Sequence, residues 1–250
     1  MLKPSALTST GIQIHDLTVS YRSVMALKDI NLSFETGSLH GILGPNGAGK
    51  STLIKAMLGL ISAQSGSVLY RNRPLWQQRH RVAYVPQRSQ IDWTYPATAW
   101  DVVTMGRVQQ TGWFRRLSST SHQIAQQALE RVGMQDFAQR RIGELSGGQQ
   151  QRVFLARSLA QEADLYFFDE PFVGVDQPTE QVLFEVFREL AAVGKTVLVI
   201  HHDLGESLEN FDQLLLLNKR VIAQGSPQQV IRPQLLQETY GSWSDGWHAA

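Results

Sequence analysis

The sequence predicts an α/β protein whose core is a parallel β-sheet covered by helices, and two observations support this prediction. Residues 164–170 (DLYFFDE) and 195–203 (KTVLVIHHD) are strongly apolar and of strand length, as expected for strands that are buried on both faces. Residues 179–194 (TEQVLFEVFRELAAVG) lie between them and repeat apolar side chains at helical spacing. Buried strands that alternate with amphipathic helices are typical of a parallel sheet.

The first third of the chain is predicted to form short strands and one helix. Strand patterns occur before the helix at residues 12–21, 27–35 and 38–44, the last of which ends in a glycine-rich turn. They occur again after the helix at residues 66–72 and 81–87. The helix is predicted from Lys50 to about Leu60. Pro86 ends the last of these strands.

Residues 88–163 are predicted to be mainly helical and to form a subdomain inserted into the core. The clearest helix is residues 122–134, which is apolar at Ile124, Ala125, Ala128, Leu129 and Val132. The insertion leaves a core of about residues 12–87 and 164–225, which closes with a hairpin at residues 212–226. Residues 1–240 are therefore predicted to form one domain, followed by a tail at residues 241–250.

The composition limits the classes of function. The chain has 250 residues, of which 42% are hydrophobic and 18% charged, as in an ordinary globular protein. A formal net charge of +1 provides no overall field for binding nucleic acid. The absence of cysteine excludes disulfides and thiolate metal sites and fits a reducing compartment. There is no secretory signal pattern, and the apolar runs are too short to span a bilayer, so that any membrane role is expected to be peripheral.

A phosphate-binding loop is predicted at residues 44–52 (GPNGAGKST), which match the pattern G-x-x-x-x-G-K-[ST] between a strand and a helix. Glycines let the backbone surround a phosphate, and successive N–H groups at the helix N-terminus attract the anion. Lys50 is expected to reach the terminal phosphates, and Ser51 to offer its hydroxyl to Mg²⁺. The candidate binding residues are Gly44, Pro45, Asn46, Gly47, Ala48, Gly49, Lys50, Ser51 and Thr52.

Two carboxylates follow the buried strand at residues 165–169. Asp169 lies at the carboxyl end of the strand, where α/β sheets bind ligands, and is predicted to hold Mg²⁺ through water. Glu170 should point to the other face of the strand and act as general base toward an attacking water. The alternative is a solvated surface pair.

A second anion-binding nest is predicted at residues 144–160 (ELSGGQQQRVFLARSLA). Ser146 is a good N-cap, and Gly147 and Gly148 expose N–H groups at the start of a helix. Since the chain has one phosphate loop, this motif either only caps a helix or completes a site on another copy across a two-fold dimer.

Together these motifs resemble those of the ATP-binding subunit of an ABC transporter. Their order along the chain is Walker A at residues 44–52, the Q-loop at Gln87, the signature LSGGQ at residues 145–149, Walker B at residues 165–169, the catalytic glutamate at Glu170 and the D-loop at residues 173–176. The resemblance implies a P-loop NTPase (ABC ATPase) core of RecA-like type, an antiparallel β subdomain and an inserted α-helical subdomain.

The same resemblance implies Mg²⁺-dependent ATP hydrolysis by a homodimer with nucleotides at its interface. Ser146, Gly147, Gly148 and Gln149 would contact the nucleotide of the partner copy, and Gln87 would reach Mg²⁺ and the attacking water. It also implies that Tyr21 stacks on adenine, the alternative being a tyrosine of the core, and that His202 contacts the γ-phosphate and orients Glu170. His201 points to the opposite strand face and is expected to pack.

The segment after Gln87 contains the aromatic residues Trp93, Tyr95 and Trp100 with few charges. By resemblance it joins the nucleotide core to the helical subdomain, which meets the cytoplasmic coupling helix of the membrane subunit. Clustered aromatics are typical of protein interfaces. The alternative is that Trp93 and Trp100 pack the small subdomain.

The amino-acid sequence of this segment, DWTYPATAWDVVTMGR followed by GWFRR, is similar to that of the importers of manganese, zinc or chelated iron. That likeness implies a peripheral location on the cytoplasmic face of the cell membrane, a separate permease and an extracytoplasmic metal-binding protein. Arg107, Arg115 and Arg116 could form a positive face toward lipid headgroups, or an ordinary solvated helix face.

Alternatives from other classes are an ABC ATPase for another substrate and a soluble, non-transport ABC ATPase. The signature and Gln87 argue against a P-loop GTPase or kinase.

Overall fold

A computed structural model of the chain describes residues 11–21, 24–112 and 116–241. The chain divides into two compact units, of which the first comprises Met1–Arg79 and His202–Ala250 and the second comprises His80–His201. Apart from Gly241, the predicted tail lies outside the described residues, as does Arg115. Among the residues that are described, no helix has the length and apolarity needed to cross a membrane.

The strands and helices follow one another along both units. The strands are β1 (Ile12–Tyr21), β2 (Val24–Phe34), β3 (Leu39–Leu43), β4 (Ser65–Tyr70), β5 (Arg73–Pro74), β6 (Val82–Val85), β7 (Leu165–Asp169), β8 (Thr196–Ile200), β9 (Gln213–Leu217) and β10 (Val221–Gly225). The helices are α1 (Lys50–Met57), α2 (Ala99–Thr104), α3 (Val108–Thr111), α4 (Ser119–Arg131), α5 (Gly147–Ala160), α6 (Gln177–Ala192), α7 (Pro227–Val230) and α8 (Pro233–Tyr240).

The first unit contains a four-stranded antiparallel sheet in the order β2-β1-β4-β5. The register pairs Ile12 with Phe34 on β2 and with Tyr70 on β4, and all three side chains are buried. The predicted antiparallel β subdomain is thereby confirmed.

In the same unit, β3 pairs in parallel with β9, and β9 pairs antiparallel with β10. Every residue of β3 is buried. The predicted closing hairpin is confirmed. The first helix is shorter than expected, since α1 ends at Met57 and Gly59 adopts a left-handed φ of 62°.

In the second unit β6, β7 and β8 form parallel pairs. All five residues of β7 and of β8 are buried, as predicted from their apolar sequences. The rings of Phe168 on β7 and Phe187 on α6 lie 4.5 Å apart between centroids, so that α6 covers this strand.

The helices α2, α4 and α5 of the second unit pack against one another. Thr98 begins α2 with a capping box, in which its side chain accepts from the N–H of Asp101 and the Asp101 carboxylate accepts from the N–H of Thr98. The ring of Trp100 lies 4.5 Å from that of His122 on α4. Trp100 therefore packs against α4 within this unit, which agrees with the alternative that this side chain packs the small subdomain.

The expectation of a positive face that includes Arg107 is wrong. The Arg107 side chain is buried, and its guanidinium donates to the carbonyl of Ala160 at 2.8 Å and to the carboxylate of Glu162 at 2.5 Å. Pairing with these acceptors satisfies a charge that would otherwise be costly to bury. Sequence spacing could not reveal this, because Glu162 is 55 residues away.

The division into units differs from the predicted boundaries. Residues 88–163 lie within the second unit, which also contains β6, β7, β8 and α6. The reason is that α5 packs on β6 and α6, so that helices and strands of this part of the chain share contacts. The assignment of residues 12–87 and 164–225 to one RecA-like core stays a prediction.

Candidate functional site

The phosphate loop of the first unit connects β3 to α1 and depends on glycine. Gly49 has a φ of 96°, and a Cβ placed there would lie 2.7 Å from the carbonyl oxygen of Ala26. A Cβ on Gly44 would collide with the carbonyl oxygen of Leu217. These positions accept no side chain, and the backbone of β2 and β9 therefore holds the loop closely from both sides.

The turn between β9 and β10 also fixes the loop. The N–H of Lys219 donates to the carbonyl of Ala48 at 2.8 Å, and the carbonyl of Lys219 accepts from the N–H of Lys28 at 2.7 Å. Within the loop, the N–H of Ala48 donates to the carbonyl of Pro45 at 3.1 Å. Such cross-links preorganise the loop, since its conformation does not have to be formed when an anion binds.

Lys50 begins α1 and is buried, with 6% of its surface exposed. Its ammonium donates to the carbonyls of Gly44 at 2.7 Å and of Pro45 at 3.1 Å, so that it lies across the phosphate loop. Ser51 and Thr52 follow in the first turn and are half-buried. A lysine and a helix N-terminus at the same loop are the elements that bind the phosphates of a nucleotide.

The carboxylates lie in the second unit, where β7 ends. Asp169 is the last residue of β7 and is 2% exposed. Burial, and then the negative charge of Asp169, raise the pKa of Tyr84 on β6. The carboxylate of Asp169 is thus buried and close enough to Tyr84 for its charge to contribute to the pKa of that phenol.

The structure brings Gln87 and Glu170 together, although they are 83 residues apart in the sequence. The amide Nε2 of Gln87 donates to the Oε2 of Glu170 at 2.6 Å. Glu170 has a φ of 55°, so the chain turns sharply after β7 and presents this carboxylate beside the end of β6. A carboxylate held by one amide still has lone pairs free to accept a proton from water.

The signature segment begins α5. The Oγ of Ser146 accepts from the N–H of Gln149 at 3.3 Å, and the N–H of Ser146 donates to the Oε1 of Gln149 at 2.9 Å. This capping box leaves the N–H groups of Gly147 and Gly148 at the helix N-terminus, where the helix dipole favours an anion. Capping and anion binding are therefore compatible uses of the same residues.

Residues 173–176 lead into α6, which Asp176 caps. Its carboxylate accepts from the N–H of Thr179 at 3.1 Å, and hydrogen bonds from Thr179 hold the pKa of Asp176 below its ordinary value. A Cβ on Gly148 would lie 2.7 Å from the Oγ1 of Thr179. The segment at residues 173–176 and the first turn of α5 are thus neighbours within the second unit.

The remaining predicted site residues occupy the first unit. Tyr21 is the last residue of β1, and 48% of its surface is exposed. His202 is exposed, whereas His201 of the second unit is buried and packs edge-on against the ring of Phe172 at 5.1 Å between centroids. The roles of Tyr21 and His202 stay predictions.

The aromatic segment after Gln87 divides into packed and exposed side chains. The indole N–H of Trp93 donates to the carbonyl of Arg88 at 3.1 Å, and its ring lies 5.3 Å from that of Phe154 on α5. Tyr95 is 60% exposed. It borders a cleft of about 280 Å³, which is lined by Ile91, Asp92, Tyr95, Ala97, Val102, Met105, Ile142, Phe154 and Arg157.

Sequence reasoning missed Arg88 and Phe154. Arg88 donates through Nη2 to the Oε1 of Gln150 at 2.8 Å. Its position directly after Gln87 was the only signal available in the sequence, and that signal does not identify its partner.

Comparisons with known proteins agree with this geometry. A family model described as ABC transporter matches residues 27–173, which is more than half of the 250-residue chain. The chain is 50% identical over 234 residues to the zinc transport system ATP-binding protein TroB of Treponema pallidum (strain Nichols), covering 94% of this chain and 88% of that protein. It is 49% identical over 230 residues to the manganese transport system ATP-binding protein MntB of Bacillus subtilis (strain 168), covering 92% of each.

A solved structure resembles the fold over most of its length. It is the dimeric structure of an ATP-binding cassette in a post-hydrolysis state, bound to ADP and Pi. The TM-score is 0.76 at 25% identity, covering 86% of this chain and 98% of that one. Because the family match includes both the phosphate loop and the candidate carboxylates, and two transport system ATP-binding proteins align with nearly the whole chain, this protein belongs to the ABC transporter family as an ATP-binding, ATP-hydrolysing subunit.

Proposed function

We propose that this chain powers the import of a transition metal, namely manganese, zinc or chelated iron, through a separate membrane permease. The observation that carries this proposal is the sequence similarity to two transport ATP-binding proteins. The chain is 50% identical to a zinc transport protein over 94% of its length and 49% identical to a manganese transport protein over 92% of its length. The metal would be cargo, delivered by an extracytoplasmic metal-binding protein. The chain itself would act as a homodimer, peripheral on the cytoplasmic face of the membrane.

The nucleotide would be bound by residues of both predicted motifs. Lys50 and the N–H groups of the phosphate loop would hold the phosphates, and Tyr21 would stack on adenine. In the dimer, the Ser146–Gly148 nest of one copy would contact the nucleotide of the other. The dimeric cassette bound to ADP and Pi supports this arrangement by its likeness.

The residues predicted to hold Mg²⁺ fit its preference for oxygen ligands. Ser51 offers a hydroxyl, and Asp169 offers a buried carboxylate. Gln87 uses its amide NH₂ group toward Glu170, which leaves its amide oxygen available for the cation. When bound, Mg²⁺ would neutralise charge on the phosphate oxygens. Glu170 would accept the proton of the attacking water, and His202 would contact the γ-phosphate.

The permease would dock in the cleft beside Tyr95. Its lining is mainly apolar and includes Met105 and Phe154, and Tyr95 is an exposed aromatic at its edge. Interface centres are enriched in tyrosine, phenylalanine and methionine. Trp93, by contrast, packs on Phe154 and is expected to support the cleft from within.

Metal uptake by cells tests the proposed cargo. A strain that lacks this chain would be complemented with the wild type or with Glu170→Gln, and the uptake of radioactive manganese, zinc and chelated iron would be measured. We expect the wild type to restore uptake of one of these metals and Glu170→Gln to restore none. Equal uptake of all three metals with and without the chain would reject metal import.

Substitution in the cleft tests the proposed docking surface. Tyr95→Ala should weaken copurification with the permease while the circular dichroism spectrum stays that of the wild type. Trp76→Ala is a matched control, because Trp76 is also an exposed aromatic, at 55%, but belongs to the first unit. If both variants retained the permease equally, the docking surface would have to lie elsewhere.

A further inference from the structure

Arg88 has contacts that the predicted site does not account for. Its Nη2 donates to the Oε1 of Gln150 at 2.8 Å, and its guanidinium carbon lies 5.4 Å from the centroid of the Trp93 ring. Its Nη1 lies close to two glycines. A Cβ built on Gly147 would lie 2.7 Å from this nitrogen, and a Cβ built on Gly174 would lie 3.6 Å from it. One half-buried side chain thus contacts the signature helix, the segment at residues 173–176 and the aromatic segment.

The contact with Gln150 links Arg88 to both sides of Ser146. Gln150 lies on α5, is 4% exposed, and donates through Nε2 to the carbonyl of Ile142 at 3.0 Å. Ile142 precedes the signature and Gln150 follows it, so this pair of hydrogen bonds braces the loop that carries Ser146. Arg88 is the donor that holds the amide of Gln150 in this orientation.

Gly147 supports a specific use of the Arg88 side chain. Gly147 has no left-handed φ, so the backbone does not require glycine there. The Nη1 of Arg88 lies next to the space that a side chain on Gly147 would occupy. A Cβ on Gly147 would also lie 3.2 Å from the carbonyl oxygen of Gly174. The guanidinium and the glycine therefore fit one another.

The shape of the guanidinium matters here more than its charge. Among the residues that the structure describes, none of the ion pairs of the second unit involves Arg88. Its neighbours are an amide oxygen, an aromatic face and a glycine, which suit a planar fork with several donors. A lysine cannot stack on Trp93 and reach both Gln150 and Gly147 at once.

We propose that Arg88 is a positioning residue that holds the Ser146–Gly148 nest in the orientation needed to meet the nucleotide of a second copy. The inference rests on the proposed dimeric site. Arg88 directly follows Gln87 in the chain. Gln87 donates to the candidate base Glu170, and Arg88 donates to Gln150 on α5 and lies beside Gly147 of the nest. A movement of this segment therefore changes both parts of the hydrolytic machinery together.

Steady-state hydrolysis by purified variants tests this role. Arg88→Ala should lower kcat about tenfold, as expected for the loss of a hydrogen bond and a stacked cation. Binding of ATP to the monomer should stay within about twofold of the wild type, since the variant leaves the residues of the phosphate loop unchanged. Nucleotide-dependent dimerisation, measured by light scattering in a Glu170→Gln background, should weaken in parallel with kcat.

Two further variants separate positioning from general packing. Arg88→Lys should remain as slow as Arg88→Ala, because charge without the planar fork does not restore the contacts. Arg131→Ala is the control, since Arg131 lies in the same unit and makes a two-bond contact with Glu189 outside the site. It should keep kcat and dimerisation within about twofold of the wild type.

A double-mutant cycle identifies the partner. Arg88→Ala combined with Gln150→Ala should be no slower than the slower single variant, because both remove the same contact. Independent, additive losses would reject the proposed link to Gln150. If Arg88→Ala lowers the melting temperature, Arg88→Gln replaces it in the cycle, and a wild-type kcat in that variant overturns the proposal.

Ser146→Arg distinguishes failure of this inference from failure of the dimeric site. If Ser146→Arg abolishes hydrolysis and Arg88→Ala does not slow it, the dimeric site stands and the role of Arg88 is rejected. If Ser146→Arg hydrolyses ATP at the wild-type rate, the nest does not act on nucleotide, and both proposals are rejected.

Discussion

At the scale of single residues, the hydrogen bond from Gln87 to Glu170 defines the candidate base. A bond to an ionised acceptor is stronger than one between neutral groups, and the 2.6 Å distance fixes the carboxylate in one orientation. General-base catalysis requires a fixed geometry before it requires a particular pKa. Glu170 is therefore the side chain whose replacement should separate binding from hydrolysis.

Glu170→Gln should lower kcat by about 100-fold or more, since an amide cannot accept the proton of the attacking water. ATP binding and nucleotide-dependent dimerisation should persist, because the phosphate loop is unchanged. Phosphate release and light scattering measure the two properties. Glu185→Gln is the control, as Glu185 lies exposed on α6 and bonds Gln181. Turnover near that of the wild type would remove Glu170 from this role.

Asp176 should stabilise the protein in a pH-dependent way. Hydrogen bonds from Thr179 lower the pKa of Asp176 below 3.8 in the folded chain. Folding thus favours the ionised form of Asp176. Its contribution to the free energy of unfolding is fully present above pH 3.8 and is lost as the pH falls through the pKa of the folded chain. Asp176→Ala should lower the free energy of unfolding at pH 7, with a difference that shrinks toward pH 3. Urea unfolding across this range measures it.

Asp176→Asn provides the control for that measurement. Asparagine retains the capping hydrogen bond but has no charge. At pH 7 the free energy of unfolding of Asp176→Asn should therefore fall less below that of the wild type than the free energy of unfolding of Asp176→Ala does. A loss in Asp176→Ala that is constant with pH would show that the charge of Asp176 does not contribute.

At the scale of elements, three of the candidate site segments lie at helix N-termini. The phosphate loop begins α1, the serine–glycine nest begins α5, and the segment with Asp176 begins α6. Each start is positioned by contacts outside its own helix, such as the backbone of β2 and β9 at the phosphate loop. We expect these contacts to restrict the loops, which would reduce the ordering required on binding.

Gly49→Ala should abolish nucleotide binding and lower the stability by about 1–3 kcal/mol, because it adds left-handed strain and a contact with the backbone of Ala26. Gly194→Ala is the matched control. Gly194 has a similar φ of 82°, but a Cβ there would meet no atom within 4 Å. It should lose about 1 kcal/mol and still allow the phosphate loop to bind nucleotide. A fluorescent ATP analogue and thermal unfolding compare the two variants, and equal binding by both would show that the close approach at Gly49 is unimportant.

At the scale of the whole molecule, each chain has one phosphate loop and one serine–glycine nest. In the proposed two-fold dimer, two copies would form two equivalent sites from these parts. The same nest that caps α5 would then serve hydrolysis in the other copy.

Ser146→Arg should block hydrolysis while ATP binding to the monomer remains, because the large cation would fill the nest and the residues of the phosphate loop would be unchanged. Equilibrium binding at low protein concentration and phosphate release measure the two effects. Loss of monomer binding would argue against a site shared between copies. Ser146→Thr keeps the capping hydroxyl and should retain most of the activity.

Much of the fold and many candidate site residues were predictable because their signals are local. Apolar strands such as β7 follow from composition, and the phosphate loop follows from a glycine pattern that its backbone conformation requires. The packing of His201 was predicted from the alternation of side chains along a strand, and His201 is buried against Phe172, whereas the role of His202 stays a prediction.

The sequence by itself therefore determined the family, the strand order along the chain and the motifs, since each depends on residues close together in the chain. Only the tertiary structure decided which distant residues meet. The Gln87–Glu170 bond, the burial of Arg107 against Glu162, the packing of Trp93 on Phe154 and the fit of Arg88 to Gly147 are examples. The physical reason is that such contacts depend on how helices and strands pack, which no local pattern encodes.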